Sequence, residues 1–236
     1  LSKRDGAKDL FEYRTDGYLP EALRNFLALI GWNPGGDREL FFDFEELVTA
    51  FSLEKIQKSG GAFNEEKLKW MNREFLAHRS REERAAYFAA GLPESLSESP
   101  QYDPERVTRL TETALERAHN HVEIAEAAQA GEYDWAFTAP EYDESLLQWK
   151  NDNSVVAALP RLQQAAELLA DADFTTPDAI KAAVWPYAEE TGKGEVLWPL
   201  RVALSGRERS PDPFTLAFVL GHDETLARIA TACDKI

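Results

Sequence analysis

Four basic side chains, Lys193, Arg201, Arg207 and Arg209, fall in a stretch that carries only two acids, Glu195 and Glu208. Gly206, Pro211 and Pro213 punctuate it. A short apolar segment, Val196 to Leu204, runs into a turn at Ser205-Gly206. A loop follows, and Pro213 suits the first turn of a helix. A loop that opens a helix sets unpaired backbone N–H groups beside arginine forks, a combination that holds phosphates and base edges. The same arginines could simply be solvated, and the residue types alone leave both readings open.

Other sets promise less chemistry. His119 and His121 stand two residues apart. On a helix that spacing turns the two rings away from each other, so no metal site is expected. Cys233 is the only cysteine, which excludes an internal disulfide and fits a reducing, cytoplasmic compartment. Lys67, Lys69 and Arg73 lie on one helical segment and are possible phosphate contacts, although cations on a helix face are usually just solvated. Tyr133, Trp135, Phe137 and Tyr142 follow Gly131 and could stack on bases. Such a cluster reads first as packing between helices.

Composition narrows the class. The chain has 236 residues, of which 44% are hydrophobic and 29% charged, which places it among ordinary soluble proteins able to bury one or two cores. No apolar run approaches the roughly 18 residues of a membrane span, and no signal-peptide pattern opens the chain. The net charge of −16 opposes nucleic-acid binding if it is spread evenly. It is not: acids gather from Glu94 to Glu105 and from Glu132 to Glu144, away from the basic stretch. No glycine-rich phosphate loop, no His-x-Gly-His and no β-α-β alternation is legible, so a nucleotide-binding catalytic domain is not expected here.

The elements that must position these residues read as helices. Leu23, Phe26, Leu27 and Ile30 share one face of a helix that Pro20 opens and Gly31 ends. Phe41, Phe42 and Phe44 read as core, and Asp43 as the cap of a helix to Phe51. Asn64 caps a helix to about His78, and Ser80 one to Ala90. Pro104 starts a long helix, Glu105 to about Ala130. Further helices are expected over about 143–150, Val155 to Ala170 (kinked or split at Pro160), Thr176 to Thr191, and Asp223 to Ala232. Only short pieces near Phe41 and Val196 suggest strand.

Several motifs bear a family resemblance. Trp198-Pro199-Leu200-Arg201-Val202-Ala203-Leu204-Ser205-Gly206, followed by Ser210-Pro211, resembles the PLR-x-ALTG…SP stretch of bacterial-type glutamyl-tRNA synthetases. Leu1-Ser2-Lys3-Arg4 looks like the end of that family's class I KMSKS signature. Gly17 to Trp32 and Lys67 to Asn72 are similar to the segments that follow the signature. Arg117 to Ile124 resembles the family's R-x-K-T-L-x-E-[IL], departing from it at His119 and His121.

The resemblance implies a mainly α fold with three parts. Residues 1–78 would form the signature's end and a small, α/β-touched stem-contact region. Residues 79–190 and 191–236 would form the two parts of a helical-bundle anticodon-binding domain, an α-helix cage. It implies that Lys3 is the catalytic residue, reaching the ATP phosphates during adenylate formation, with Ser2 and Arg4 beside it in the ATP site. It implies anticodon contacts at Arg117, Arg201, Ser210, Pro211 and Pro213. Lys67, Lys69, Arg73, Arg207 and Arg209 are possible contacts to the tRNA backbone. The intact enzyme would attach glutamate to tRNA(Glu) with ATP and Mg²⁺ through a glutamyl-adenylate. This chain alone, begun inside a motif, is expected to be a portion of such an enzyme. It should be inactive by itself, without cofactor, monomeric, and a partner of neither DNA nor membrane. A catalytically inert helical interaction module derived from such an enzyme is the alternative.

Overall fold

A computed structural model describes residues 8–57 and 62–236. The chain divides into two compact units. The first comprises residues up to Ser97 together with Thr111–Ala130, and the second comprises Glu98–Leu110 and Gly131–Ile236. Among the described residues there is no strand, only an isolated bridge between Trp32 and Ile56.

The first unit holds α1 (Leu10–Thr15), α2 (Pro20–Leu29), α3 (Phe44–Ala50), α4 (Glu65–Ala77), α5 (Arg81–Gly91) and α6 (Glu94–Ser97). It also takes the last residues of α7 (Pro104–Ala114) and all of α8 (His121–Gln129). Caps set the starts. Asp43 accepts from Glu45 N and Glu46 N, Asn64 from Lys67 N, and Ser80 forms a reciprocal capping box with Glu83. Tyr13, Tyr18, Leu23, Phe26, Leu68 and Met71 make one core cluster, and Trp32, Phe41 and Leu47 another.

The expected strand at Phe41 is absent for a local reason. Asn25, fully buried in α2, donates to Glu39 O at 2.8 Å and accepts from Phe41 N at 2.8 Å. That side chain takes the groups a strand partner would need. Phe42 and Phe44 are not core either. Phe42 lies flat on the His78 ring at 3.5 Å, and Phe44 is half exposed beneath the Arg24 guanidinium.

The long helix expected from Glu105 to Ala130 is broken between α7 and α8. Asn120 is extended and caps α8, accepting from Glu123 N at 2.9 Å, while the Glu123 carboxylate accepts from His119 N at 2.7 Å. The buried Asn72 of α4 then donates to the His119 carbonyl at 2.6 Å and accepts from Leu19 N at 2.8 Å. Side chains that satisfy backbone groups off the helix outcompete its continuation here.

At this joint Gly17 has φ +85°, and a Cβ there would run into the His121 ring, so only glycine fits. The His121 ring packs at a tilt of 45° against Tyr87, 4.4 Å between centroids, and its Nε2 is buried without a partner. Burial holds the His121 pKa below the usual imidazole value, opposed by a hydrogen bond with the Tyr87 backbone. A depressed folded-state pKa means that the unfolded chain binds the proton better. The stability His121 contributes is therefore present above about pH 6.5 and is lost as pH falls through its lower folded value. Denaturant titrations between pH 7.5 and 5 should show the first unit weakening on acidification, with a shallower slope in His121→Gln. An equal slope in that variant would assign the effect elsewhere.

The second unit holds the first part of α7, then α9 (Asp134–Phe137), α10 (Ala158–Ala170), α11 (Pro177–Thr191), α12 (Lys193–Ser205), α13 (Pro213–Leu220) and α14 (His222–Lys235). Helix α12 is central and packs on α10, α11, α13 and α14. Val196 to Leu204, read from sequence as an extended piece, is thus the body of a helix. Val196, Leu200, Val202, Ala203 and Leu204 are all buried, so apolarity on most faces hides the helical period. Burying a side chain such as Leu200 or Leu204 is worth about 1.5–3 kcal/mol.

Two other boundaries shift. The stretch expected to be helical over 143–150 is a 3₁₀ turn at Glu144–Leu147. The Val155 to Ala170 helix divides into a 3₁₀ turn, Val155–Ala157, and α10, whose first turn holds Pro160. Pro199 sits inside α12 and cannot donate to Glu195 O. The Arg161 guanidinium, held by Asp152 at 2.6 and 3.0 Å, lies 3.5 Å from that freed carbonyl.

Candidate nucleic-acid interface

The loop from Gly206 to Asp212 joins α12 to α13, and nearly every residue in it is fixed by a local bond. Gly206 has φ +67° and donates to Val202 O at 2.7 Å, closing α12. A Cβ at Gly206 would stand 2.8 Å from Pro140 Cβ, so backbone conformation and space both demand glycine. Ser205 Oγ donates to Arg201 O at 2.8 Å and accepts from Arg207 N at 3.3 Å. Ser210 Oγ donates to Pro211 O at 3.0 Å. Asp212 caps α13, accepting from Phe214 N and Thr215 N at 3.0 and 3.1 Å, and Pro213 is the buried first residue of that helix. The capping aspartate occupies the helix N-terminus that sequence alone offers as an anion site.

Beneath the loop lies Arg228 of α14, only 4% exposed. Its Nη1 donates to Leu204 O at 2.6 Å and to Trp135 O at 2.8 Å, its Nη2 to Thr138 O at 3.2 Å, and its Nε to Glu224 at 2.7 Å. One guanidinium thus ties the end of α12 to α9 and to the chain after α9. Burial pushes the Arg228 pKa down, and the Glu224 carboxylate pushes it back up. Arg228 was not singled out from sequence. The signal was present, since it shares the spacing of the buried Thr225, Ile229 and Ala232.

The basic residues separate by what they already hold. Arg207 donates to Gly131 O at 2.6 Å and pairs with Asp134 at 3.0 Å, so it anchors the loop. Arg209 is exposed, with no ion pair among the described residues. Arg201 differs from both. Its Nε is buried without a hydrogen-bond partner, and no described residue accepts from its guanidinium. A half-buried guanidinium with all its donors unspent is ready for a base edge or a phosphate oxygen. The second unit therefore brings Arg201, Arg209, Ser210, Pro211 and Pro213 to one loop, the helix end before it and the helix start after it.

The first unit carries the other sites. Arg117 is exposed in the turn after α7, with no ion pair among the described residues. Lys67 pairs with Glu39 at 2.6 Å, Lys69 with Glu123 at 2.9 Å, and Arg73 with Glu74 at 3.2 Å. The Lys69 pKa is raised, first by its hydrogen bond with Glu123. Ser2, Lys3 and Arg4 lie outside the described residues. His119 pairs with Glu123 at 3.1 Å while His121 is enclosed, so the two rings share no ligand position. Among the described residues no cluster of His, Cys, Asp or Glu could hold a metal ion, and no helix is long and apolar enough to cross a membrane. Trp135 and Phe137 are core, as their packing reading had it.

The chain belongs to the anticodon binding domain family, which matches residues 63–233. The catalytic domain family of class I tRNA synthetases (E and Q) matches residues 1–70.

The relatives narrow this further. The chain is 34% identical to the glutamate--tRNA ligase of Flavobacterium johnsoniae, across 100% of this chain and 48% of that protein. It is 37% identical to glutamate--tRNA ligase 1 of Beijerinckia indica, across 97% of this chain and 48% of that protein. A crystal structure of a glutamate tRNA ligase from Elizabethkingia meningosepticum superposes with a TM-score of 0.70 at 30% identity, over 99% of this chain and 48% of that one. The chain spans about half the length of the curated relatives it matches. It corresponds to their C-terminal portion, from the end of the catalytic domain through the anticodon-binding domain.

Proposed function

We propose that this chain reads the anticodon of tRNA(Glu) as part of a glutamate--tRNA ligase. Arg201 serves the middle anticodon base, with Ser210 and Pro211 beside it, Pro213 near the wobble base, and Arg117 at the third base. The observation that carries the reading is the unspent guanidinium of Arg201 beside the fixed Gly206–Asp212 loop, in a chain of the anticodon-binding family. Lys67, Lys69, Arg73, Arg207 and Arg209 stand as backbone contacts; for Lys67, Lys69, Arg73 and Arg207 that role requires exchanging an existing partner for phosphate.

The functional division near residues 78 and 191 belongs to the same reading. So do a monomeric state and a cytoplasmic site of action. In the intact ligase, ATP and Mg²⁺ supply adenylate chemistry, with Ser2, Lys3 and Arg4 at the ATP site, and this chain positions the tRNA. The test is binding of this chain to a tRNA(Glu) transcript and to one altered at the middle anticodon base, at fixed low salt. Tight binding lost on that change supports the reading. Equal binding to both transcripts, or to neither, overturns base reading by this chain.

A further inference from the structure

Outside the loop, α11 and the start of α12 carry a second basic cluster. Two lysines from these helices converge on one indole. Lys181 Nζ lies 4.5 Å from the centroid of the Trp185 ring, and Lys193 Nζ lies 4.4 Å from it. Lys181 stands one turn before Trp185 on α11, and Lys193 is the first residue of α12. The Trp185 ring meets the Phe214 ring edge-on at 6.3 Å. Phe214 is the second residue of α13, directly after the Gly206–Asp212 loop. The cluster therefore borders the proposed reading site within the same unit.

A lysine side chain normally samples many rotamers, and fixing it on an anion costs most of that freedom. A ring that already holds the ammonium by cation–π attraction removes part of that cost in advance. Lys193 is open to solvent, and Lys181 is partly covered. Lys181 has no ion pair among the described residues. Lys193 is about half exposed and faces the equally exposed Glu189 at 3.2 Å. In a chain of net charge −16, two ammoniums brought together on an aromatic ring need an explanation that solubility does not give.

We propose that Lys181 and Lys193, held on Trp185, form a backbone-phosphate site for the single-stranded RNA next to the bases read at Arg201. The site contributes affinity without base preference, because ammoniums contact phosphate and leave base edges to the loop. It rests on the anticodon reading for the choice of RNA. The ligand chemistry is the phosphodiester.

The experiment measures binding of this chain to a tRNA(Glu) transcript over a range of salt concentrations. The variants are Lys181→Gln/Lys193→Gln and, as a control, Lys150→Gln, whose side chain lies over Trp149 at 5.0 Å. Each phosphate contact on a single strand contributes about 0.7 to the slope of log K against log salt. The double variant should lower the slope by about 1.4 and leave the preference for the cognate middle base unchanged, while Lys150→Gln keeps the full slope. An unchanged slope in the double variant overturns the site. A control that lowers the slope equally per lysine also overturns it, because bulk charge would then suffice. If the unmodified chain binds without base preference, the anticodon reading fails while the slope still reports on these two lysines.

Discussion

Arg228→Ala should cost the second unit about 3–5 kcal/mol, the largest single-residue loss expected in this chain outside its apolar core. The figure follows from what the side chain holds. Removing it leaves the carbonyls of Trp135, Leu204 and Thr138 without their donor and Glu224 without its cation. The Glu224 carboxylate left behind is one-third exposed and keeps water, so the loss comes mainly from the three stranded carbonyls, each of which adds a desolvation cost of about 1–3 kcal/mol. Arg228→Met restores much of the volume but none of the donors, so it should fall between wild type and alanine. Urea unfolding followed by tryptophan fluorescence checks this. The midpoint should drop while the dependence on urea stays constant. A loss below about 1 kcal/mol would mean that the three carbonyls find water or other donors, against the geometry described. Because Leu204 lies in the last turn of α12, the alanine variant should also loosen the Gly206–Asp212 loop and reduce selectivity for tRNA even where the unit stays folded.

Arg201→Ala should do the opposite, lowering recognition and sparing stability. A good bidentate contact is worth about 1–3 kcal/mol of discrimination, so preference for the cognate middle base should fall roughly 5- to 150-fold. Folding should not suffer. The wild-type side chain keeps a buried Nε without a partner, a cost that alanine removes, so the unfolding midpoint should hold or rise slightly. Arg201→Lys separates charge from geometry. It keeps one positive charge and loses the fork, so affinity should survive better than discrimination. Paired titrations of cognate and altered transcripts read both quantities. If alanine lowers binding to both transcripts equally, Arg201 is a phosphate contact. If it lowers the unfolding midpoint by several degrees, the guanidinium has a structural partner after all.

The two arginines mark how far sequence reached. Arg201 was legible because a proline- and glycine-punctuated loop follows it, and turn residues announce themselves locally. The helix starts at Pro20, Asn64, Ser80 and Thr176 were legible for the same reason, since each depends on one side chain or ring at a fixed offset. Arg228 was hidden because Glu224 stands four residues before it, and that spacing usually describes a surface pair. The break before α8 was hidden because Ala114, Leu115, Ala118 and Val122 keep a helical period across it. What breaks the helix is Asn72, far away in sequence. The sequence near Val196 suggests a short strand rather than part of α12, because a short apolar run has no polar face to reveal its period. For Arg228 and for the break before α8, the deciding partners came from another segment of the chain.

The interleaving of the two units sets an order of events during synthesis. Residues 98–110 belong to the second unit but are made before the first unit is complete at Ala130. Arg109 must wait for the carbonyl of Val219, 110 residues later. At about 5–20 residues per second, that segment spends roughly 5–20 s outside the ribosome before this partner exists. Val107 and Leu110, on either side of this waiting arginine, are each 2% exposed in the finished protein. The acids from Glu94 to Glu105 precede them directly and keep the waiting segment charged. Nascent chains stalled between residues 130 and 219 should accordingly be those that chaperones hold longest.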